Sequence, residues 1–307
     1  DPQNWHKLLT ILLERAELWY LIDRYETALQ DVEQAVGLAL ERKNGLHVGL
    51  GYSLMARIKC RLGQHEEAVE LADLIIRGLA SRIPPNKIGE AWITHAEALT
   101  YLGKFSQARP SYKKALDIFT HTQDQVGLIH THLLWAYEYS SMLGKWDEAR
   151  QHFDEARSLL MAVSHPSPIE QARLYLGLTQ VELRDGSPKA AEQNLNEAKT
   201  HIFDHGITWW RPVYFYFQGA LHIAQQEFEK AQELLSKGIT AVQEGGNPDY
   251  LPLLLLELAH LAPDKQGQQF LQRCVMAAQK RSRYLDRLHC LQVGQSYGLY
   301  PDKPAVS

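Results

Sequence analysis

Apolar and small residues recur along this chain with helical spacing, and the pattern itself repeats. The stretch Leu62-Gly63-Gln64-His65-Glu66-Glu67-Ala68 returns as Leu102-Gly103-Lys104-Phe105-Ser106-Gln107-Ala108 and again as Leu143-Gly144-Lys145-Trp146-Asp147-Glu148-Ala149. Each copy has the chemistry of a helix-hairpin turn. An apolar residue closes one helix, a glycine tolerates the left-handed conformation that ends it, and the next helix opens on an aromatic followed by a small alanine. Aligned on that alanine, the chain yields Ala28, Ala68, Ala108, Ala149, Ala191 and Ala231, spaced by 40, 40, 41, 42 and 40 residues. Seven positions further along the same helix face stand Ala35, Ile75, Ala115, Ala156, Ala198 and Gly238. Twelve positions before each turn alanine stand Ala16, Ala56, Ala96, Tyr137, Thr179 and Gly219, mostly small, where the first helix of each pair must approach the second.

These periods predict helix pairs over about 4–43, 46–81, 86–121, 123–163, 167–205, 208–245 and 250–280, then a capping helix over 282–297 and a tail at 300–307 that has the look of a severed linker. Local signals agree with these limits. Ser167-Pro168-Ile169-Glu170 has the composition of a capping box, Ser187-Pro188 opens the following helix, and Pro84-Pro85, Gly206 and Gly245-Gly246-Asn247-Pro248 fall between pairs. The fifth repeat departs from the pattern, with Asp185-Gly186-Ser187-Pro188 at its turn. Arg283, Arg287 and Gln295 give the last helix the polar side that a cap needs. Nothing divides the chain, so a single domain over 1–299 is expected.

Small residues at three such places, with Tyr25, His65, Phe105, Trp146, Pro188 and Phe228 after the turns, make residues 4 to 245 resemble tetratricopeptide repeats. The usual repeat of that family is about 34 residues. A 40-residue period is similar to the longer repeats in sensor regions of MalT-type bacterial signalling ATPases and transcription regulators, in peptide-pheromone receptors and in kinesin light chains. The resemblance implies an all-α fold, a right-handed α-solenoid superhelix of about seven antiparallel helix pairs. It also implies a concave groove lined by first helices. Carried onto this sequence, the groove positions include Tyr20, Arg57, Arg61, Glu97, Tyr101, Glu138, Arg173, Gln180, Arg184 and Tyr216. Arginines supply forked donors for a carboxylate or phosphate, and tyrosines supply flat amphipathic anchors. That mixture suits a protein or peptide segment, or a small-molecule inducer. The plain alternative is a solvated groove. The chaperone-tail clamp of the family is disfavoured, because Leu13 and Glu17 stand where it wants lysine and asparagine.

Composition narrows the classes further. The 307 residues carry a net charge of −4, and the densest basic block is Lys280-Arg281-Ser282-Arg283, which gives little electrostatic claim on nucleic acid. Three cysteines without a C-x-x-C pair suit a reducing, cytoplasmic setting. The apolar run Leu251 to Ala262 is too short to cross a bilayer. No signal peptide is read at the start, and an excised piece of a longer protein with flanking domains is expected.

Enzyme motifs fail on inspection, and no cofactor is expected. Gly103-Lys104 lacks both the earlier glycine and the following hydroxyl of a phosphate loop. His201 and His205 share a helix face, but a last helical turn favours histidine for its free carbonyls rather than for metal. The aromatic run from Trp209 to Phe217 either fills gaps left by the irregular fifth repeat or sets one or two rings at a surface. The function expected is noncovalent recognition, as the sensor or regulatory segment of a bacterial signalling protein. The alternatives are a passive scaffold and a regulator of a phosphorelay partner in which Gln180 or Glu138 enters the partner's site.

Overall fold

The small residues at the three recurring places are the deepest in the structure. In a computed structural model that describes residues 4–262, 264–280 and 284–296, the turn alanines 28, 68, 108, 149, 191 and 231 have no exposed surface at all. All regular structure among the described residues is helical, fifteen helices packed in consecutive pairs. The contacts gather into two compact units, 1–139 and 140–307.

The first unit holds α1 (Trp5–Leu21), α2 (Tyr25–Glu41), α3 (Gly45–Arg61), α4 (His65–Leu74), α5 (Pro85–Tyr101), α6 (Phe105–Thr122) and α7 (Gln125–Leu134). The helix of α4 runs on as a π turn over Ile75–Leu79, and that of α7 as a π turn over Trp135–Ser140. Hairpin turns are made by left-handed residues, Asp23 (φ 62°) after α1, then Gly63 (79°) and Gly103 (74°). Gly63 and Gly103 take this conformation without the Cβ penalty that Asp23 bears. The glycines that matter most for packing lie inside helices. A Cβ on Gly89 would come within 2.6 Å of the Phe119 ring and one on Gly127 within 2.2 Å, so Phe119 of α6 seats in two sockets, one on α5 and one on α7.

The second unit holds α8 (Trp146–Ala162), α9 (Pro168–Arg184), α10 (Pro188–Phe203), α11 (Arg211–Ala224), α12 (Phe228–Gln243), α13 (Leu251–Leu261), α14 (Asp264–Lys280) and α15 (Tyr284–Ser296). It uses the same device, with Phe153 of α8 against Gly177 of α9, where a Cβ would stand 2.1 Å from the ring. A cluster of Leu255, Leu256, Leu271, Cys274, Ala278 and Cys290 closes its end. Arg283, the side chain of Gln295 and the 300–307 tail lie outside the described residues.

Two expectations are corrected. Ser167 begins α9 with no side-chain cap, and the reciprocal half of the box is also unmade, since Glu170 is turned inward to pair with Arg173 at 3.4 Å. Among the described α-helices, side-chain caps are made by Asn44, which accepts from the His47 amide (3.2 Å), and Asp124, which accepts from the Gly127 amide (2.9 Å). The second correction concerns the small position of the fourth repeat. From cap to turn residue the first helices of repeats one, two, three and five span 19 residues, as in Asn44 to Gly63 and Pro84 to Gly103, but Asp124 to Gly144 spans 20. Alone among the first helices, this one contains a π turn, which absorbs the extra residue. Counted from the helix start, the twelfth residue is therefore Ala136, fully buried, rather than Tyr137.

His95, on α5, has Nδ1 2.9 Å from the Ser111 hydroxyl and Nε2 3.7 Å from Asp73. Burial lowers its pKa more than Asp73 raises it, with Arg77 adding to the depression. A histidine held neutral in the fold takes up its proton more readily once unfolded, so its contribution to stability is present above about pH 6.5 and is lost as pH falls through the lower folded value. Urea midpoints measured from about pH 7.5 down to pH 5 should fall, and His95→Gln should flatten the fall. An unchanged slope in the variant would assign the effect to other groups.

Candidate recognition site

Charged residues one repeat apart meet on the first helices of unit one. Arg57 of α3 lies 40 positions after Glu17 of α1 and donates from Nη1 to both Glu17 oxygens, at 3.0 and 3.3 Å. The same guanidinium sits 4.5 Å over the Tyr20 ring and 3.9 Å from Glu90, whose carboxylate accepts from Lys87 at 2.7 and 2.9 Å. A turn further along α3, Arg61 donates from Nε to the Tyr20 hydroxyl (3.2 Å) and from Nη1 to Glu97 (3.3 Å). These bonds form a ladder across α1, α3 and α5. Burial opposes the Arg57 charge, but Tyr20, Glu17 and Glu90 outweigh it and set its pKa above the ordinary guanidinium value.

Beside the ladder opens a cavity of about 230 Å³. Its polar wall is Glu17, Tyr20, Arg57, Arg61, Glu90 and Glu97. The rest of its lining is mixed: Ile93, Phe119 and Val126 are apolar, Val126 being 66% exposed, and Lys87, Asp124 and His130 stand among them. The structure thus brings together Tyr20, Arg57, Arg61 and Glu97 of the expected groove. It also alters their chemistry, since both arginine forks are occupied by glutamates of the same chain rather than held open for an anion.

Tyr101 is buried against His65, with ring centroids 4.6 Å apart, and does not line the cavity. Glu138 falls in the π turn and is buried, because the extra residue shifts the helix phase there. In unit two, Arg173 is buried, paired with Glu170 and 5.2 Å from the Trp210 ring. Gln180 is half-buried, and Arg184 is exposed at a shallow turn-side depression with Lys145 and Trp146. Tyr216 packs edge-on to Tyr250 at 5.5 Å. In the aromatic run Trp209, Trp210, Tyr214 and Phe217 are core, while Phe215 and Tyr216 are half-buried. His201 stacks on Tyr175 at 5.7 Å, and no cluster that could hold a metal occurs among the described residues.

Lys87, Glu90, Phe119 and Val126 were not legible as site residues. Lys87 lies in the first turn of α5 and Glu90 in the second, both ahead of the groove positions that the repeat register supplies, and Phe119 belongs to a second helix.

Comparison with known proteins agrees with this architecture. Residues 89–120, most of α5 and α6, match the tetratricopeptide repeat family model. No curated protein matches the chain in sequence. Solved structures share the fold at low identity. The apo form of RapI is 11% identical with a TM-score of 0.64, covering 93% of this chain and 99% of that one. A signal transduction ATPase with numerous domains from Pyrococcus horikoshii, which has a tetratricopeptide repeat sensor, is 13% identical with a TM-score of 0.59, and the match covers 96% of this chain and 45% of that one. A Rap protein complexed with competence and sporulation factor is 15% identical with a TM-score of 0.56, covering 79% of this chain and 65% of that one. The matched segment is a tetratricopeptide repeat, and the hairpins around it share the fold of tetratricopeptide repeat proteins. An array of this kind is suited to protein–protein interaction.

Proposed function

We propose that the unit-one cavity recognises a peptide segment, and that the chain serves as the sensor or regulatory part of a larger cytoplasmic bacterial signalling protein without chemistry of its own. The cavity carries this reading. Among its lining residues the exposed Val126, with Ile93 beside it, offers a place for one apolar side chain, and Glu17, Arg57, Arg61, Glu90 and Glu97 offer polar partners for the amides on either side of it. A free phosphate or carboxylate would have to displace Glu17 or Glu97 from the arginines. A peptide backbone carries no net charge to repel Glu17, Glu90 and Glu97, and its N–H groups are donors that these carboxylates can accept. The Rap and signal transduction ATPase likenesses support the regulatory part of the proposal.

The test is thermal unfolding of the chain against short apolar peptides and a set of metabolites and nucleotides, repeated with Val126→Glu. Val126 is exposed, so the variant should melt like the parent without ligand. A peptide at 100 times its dissociation constant adds about 2.7 kcal/mol to the folded state, a shift of a few degrees. We expect that shift to vanish in Val126→Glu. A peptide that still stabilises the variant, or an inducer that is a simple anion, would overturn the proposal. No response to any ligand would leave the passive scaffold as the better account.

A further inference from the structure

We propose, resting on the peptide reading above, that the segment taken by the unit-one cavity carries a cationic side chain close to its apolar one, and that Asp124 is the partner of that cation. The charges of the lining do not balance. Four carboxylates, Glu17, Glu90, Glu97 and Asp124, stand there with three permanent cations, Arg57, Arg61 and Lys87. Each of these cations is committed within the chain, Arg57 to Glu17 at 3.0 Å, Arg61 to Glu97 at 3.3 Å and Lys87 to Glu90 at 2.7 Å. The carboxylate left over is Asp124. Its Oδ1 accepts from the Gly127 amide at 2.9 Å, and its Oδ2 has no partner among the described residues.

The surplus has a local cause. Asp124 caps α7, whose first turn favours an acidic group, and capping uses one of its two oxygens. An occupant that covers this half-buried carboxylate strips water from it, which is costly unless the charge is paired. A neutral side chain offers no such pairing, and an anionic one adds repulsion. An ammonium or guanidinium group offsets the cost with a charge-assisted hydrogen bond to Oδ2. The chain also sets where that group lies in the peptide. Asp124 and the exposed Val126 are two residues apart at the start of α7, so the cation is expected within two residues of the apolar side chain.

Isothermal titration of the full chain with capped pentapeptides tests the proposal. Each has a central leucine, and one lysine, glutamine or glutamate one or two places from it, with glycine and serine elsewhere. His130 is the remaining titratable group of the lining, so the measurement is made at about pH 8, above the ordinary histidine range. We expect the lysine peptide to bind at least about fivefold more tightly than the glutamine peptide, the gain of a charged over a neutral hydrogen bond, and the glutamate peptide to bind least. Added salt should shrink that preference. Asp124→Asn should abolish it, because asparagine caps a helix as well as aspartate but brings no charge, and melting without peptide checks that the fold is kept. Equal affinity for the lysine and glutamine peptides, or tightest binding of the glutamate peptide, would overturn this proposal and leave the peptide reading standing. A lysine preference that persists in Asp124→Asn would overturn the role given to Asp124. Butylammonium that binds as tightly as the lysine peptide would overturn the proposal by making a free amine the ligand. If no probe binds, the peptide reading fails and this proposal falls with it.

Discussion

Phe119→Ala should lower the stability of the folded chain by about 3–5 kcal/mol, the loss of a fully buried ring plus the cavity it leaves. The sharper expectation concerns its socket. In the wild-type background, a methyl group on Gly127 meets three ring atoms of Phe119 at 2.2 to 2.5 Å, an overpacking that costs about 1–3 kcal/mol against the roughly 1 kcal/mol that alanine gains over glycine in a helix. In the Phe119→Ala background the ring is gone. Gly127→Ala should then become stabilising, so the sign of its effect reverses across the cycle. Urea denaturation of the four proteins reads this directly, and a Gly127→Ala cost that is equal in both backgrounds would show that the ring is not what requires glycine.

The sockets mark a limit of what the sequence discloses. Ala28, Ala68 and Ala108 reveal themselves by recurring at 40 residues, and the hairpins follow from them. Gly89, Gly127 and Gly177 recur at no fixed offset from the turns, and a lone glycine in a helical stretch reads as a weak point rather than as a seat for a distant phenylalanine. The capping box failed for a related reason. Ser167 and Glu170 have the required spacing, but Glu170 has a stronger partner in Arg173, one turn on and inside the fold. Local patterns carry the pairing of neighbouring helices, while competition between partners is settled only by packing.

Glu97→Gln should cost about 3 kcal/mol, the lower end of what removing one member of a buried ion pair costs, because the Tyr20 hydroxyl still accepts from Arg61. The pair is shielded enough for a figure of this size, with 14% of the Arg61 side chain and 8% of that of Glu97 exposed. Replacing both, as Arg61→Met with Glu97→Leu, should recover most of the loss, since two apolar side chains leave no stranded charge. Guanidinium chloride would screen the pair, so urea is the denaturant to use. If single and double variants were equally unstable, the pair itself would not be the source of the cost.

This ladder was half legible. The period placed Arg57, Arg61, Glu97 and Tyr20 on first helices facing one groove, and a 40-residue step is what sets Glu17 beside Arg57. Their partnership was not legible, because residue type alone does not say whether a fork points at a ligand or at a neighbouring glutamate. Positions beyond Trp135 were displaced for a different reason, since Glu138 and Tyr137 were counted across a helix whose phase changes midway.

That change of phase bears on how such chains can lengthen. An added residue inside a packed helix ordinarily rotates all that follows by about 100° and sends a buried face to the solvent. Here the helix is underwound over Trp135–Ser140, Ala136 keeps the register of the preceding half, and the turn at Gly144 keeps that of the next hairpin. The error is confined to one wide turn. An insertion can therefore be taken up inside a helix without being looped out, and the first helices of such repeats need not share one length.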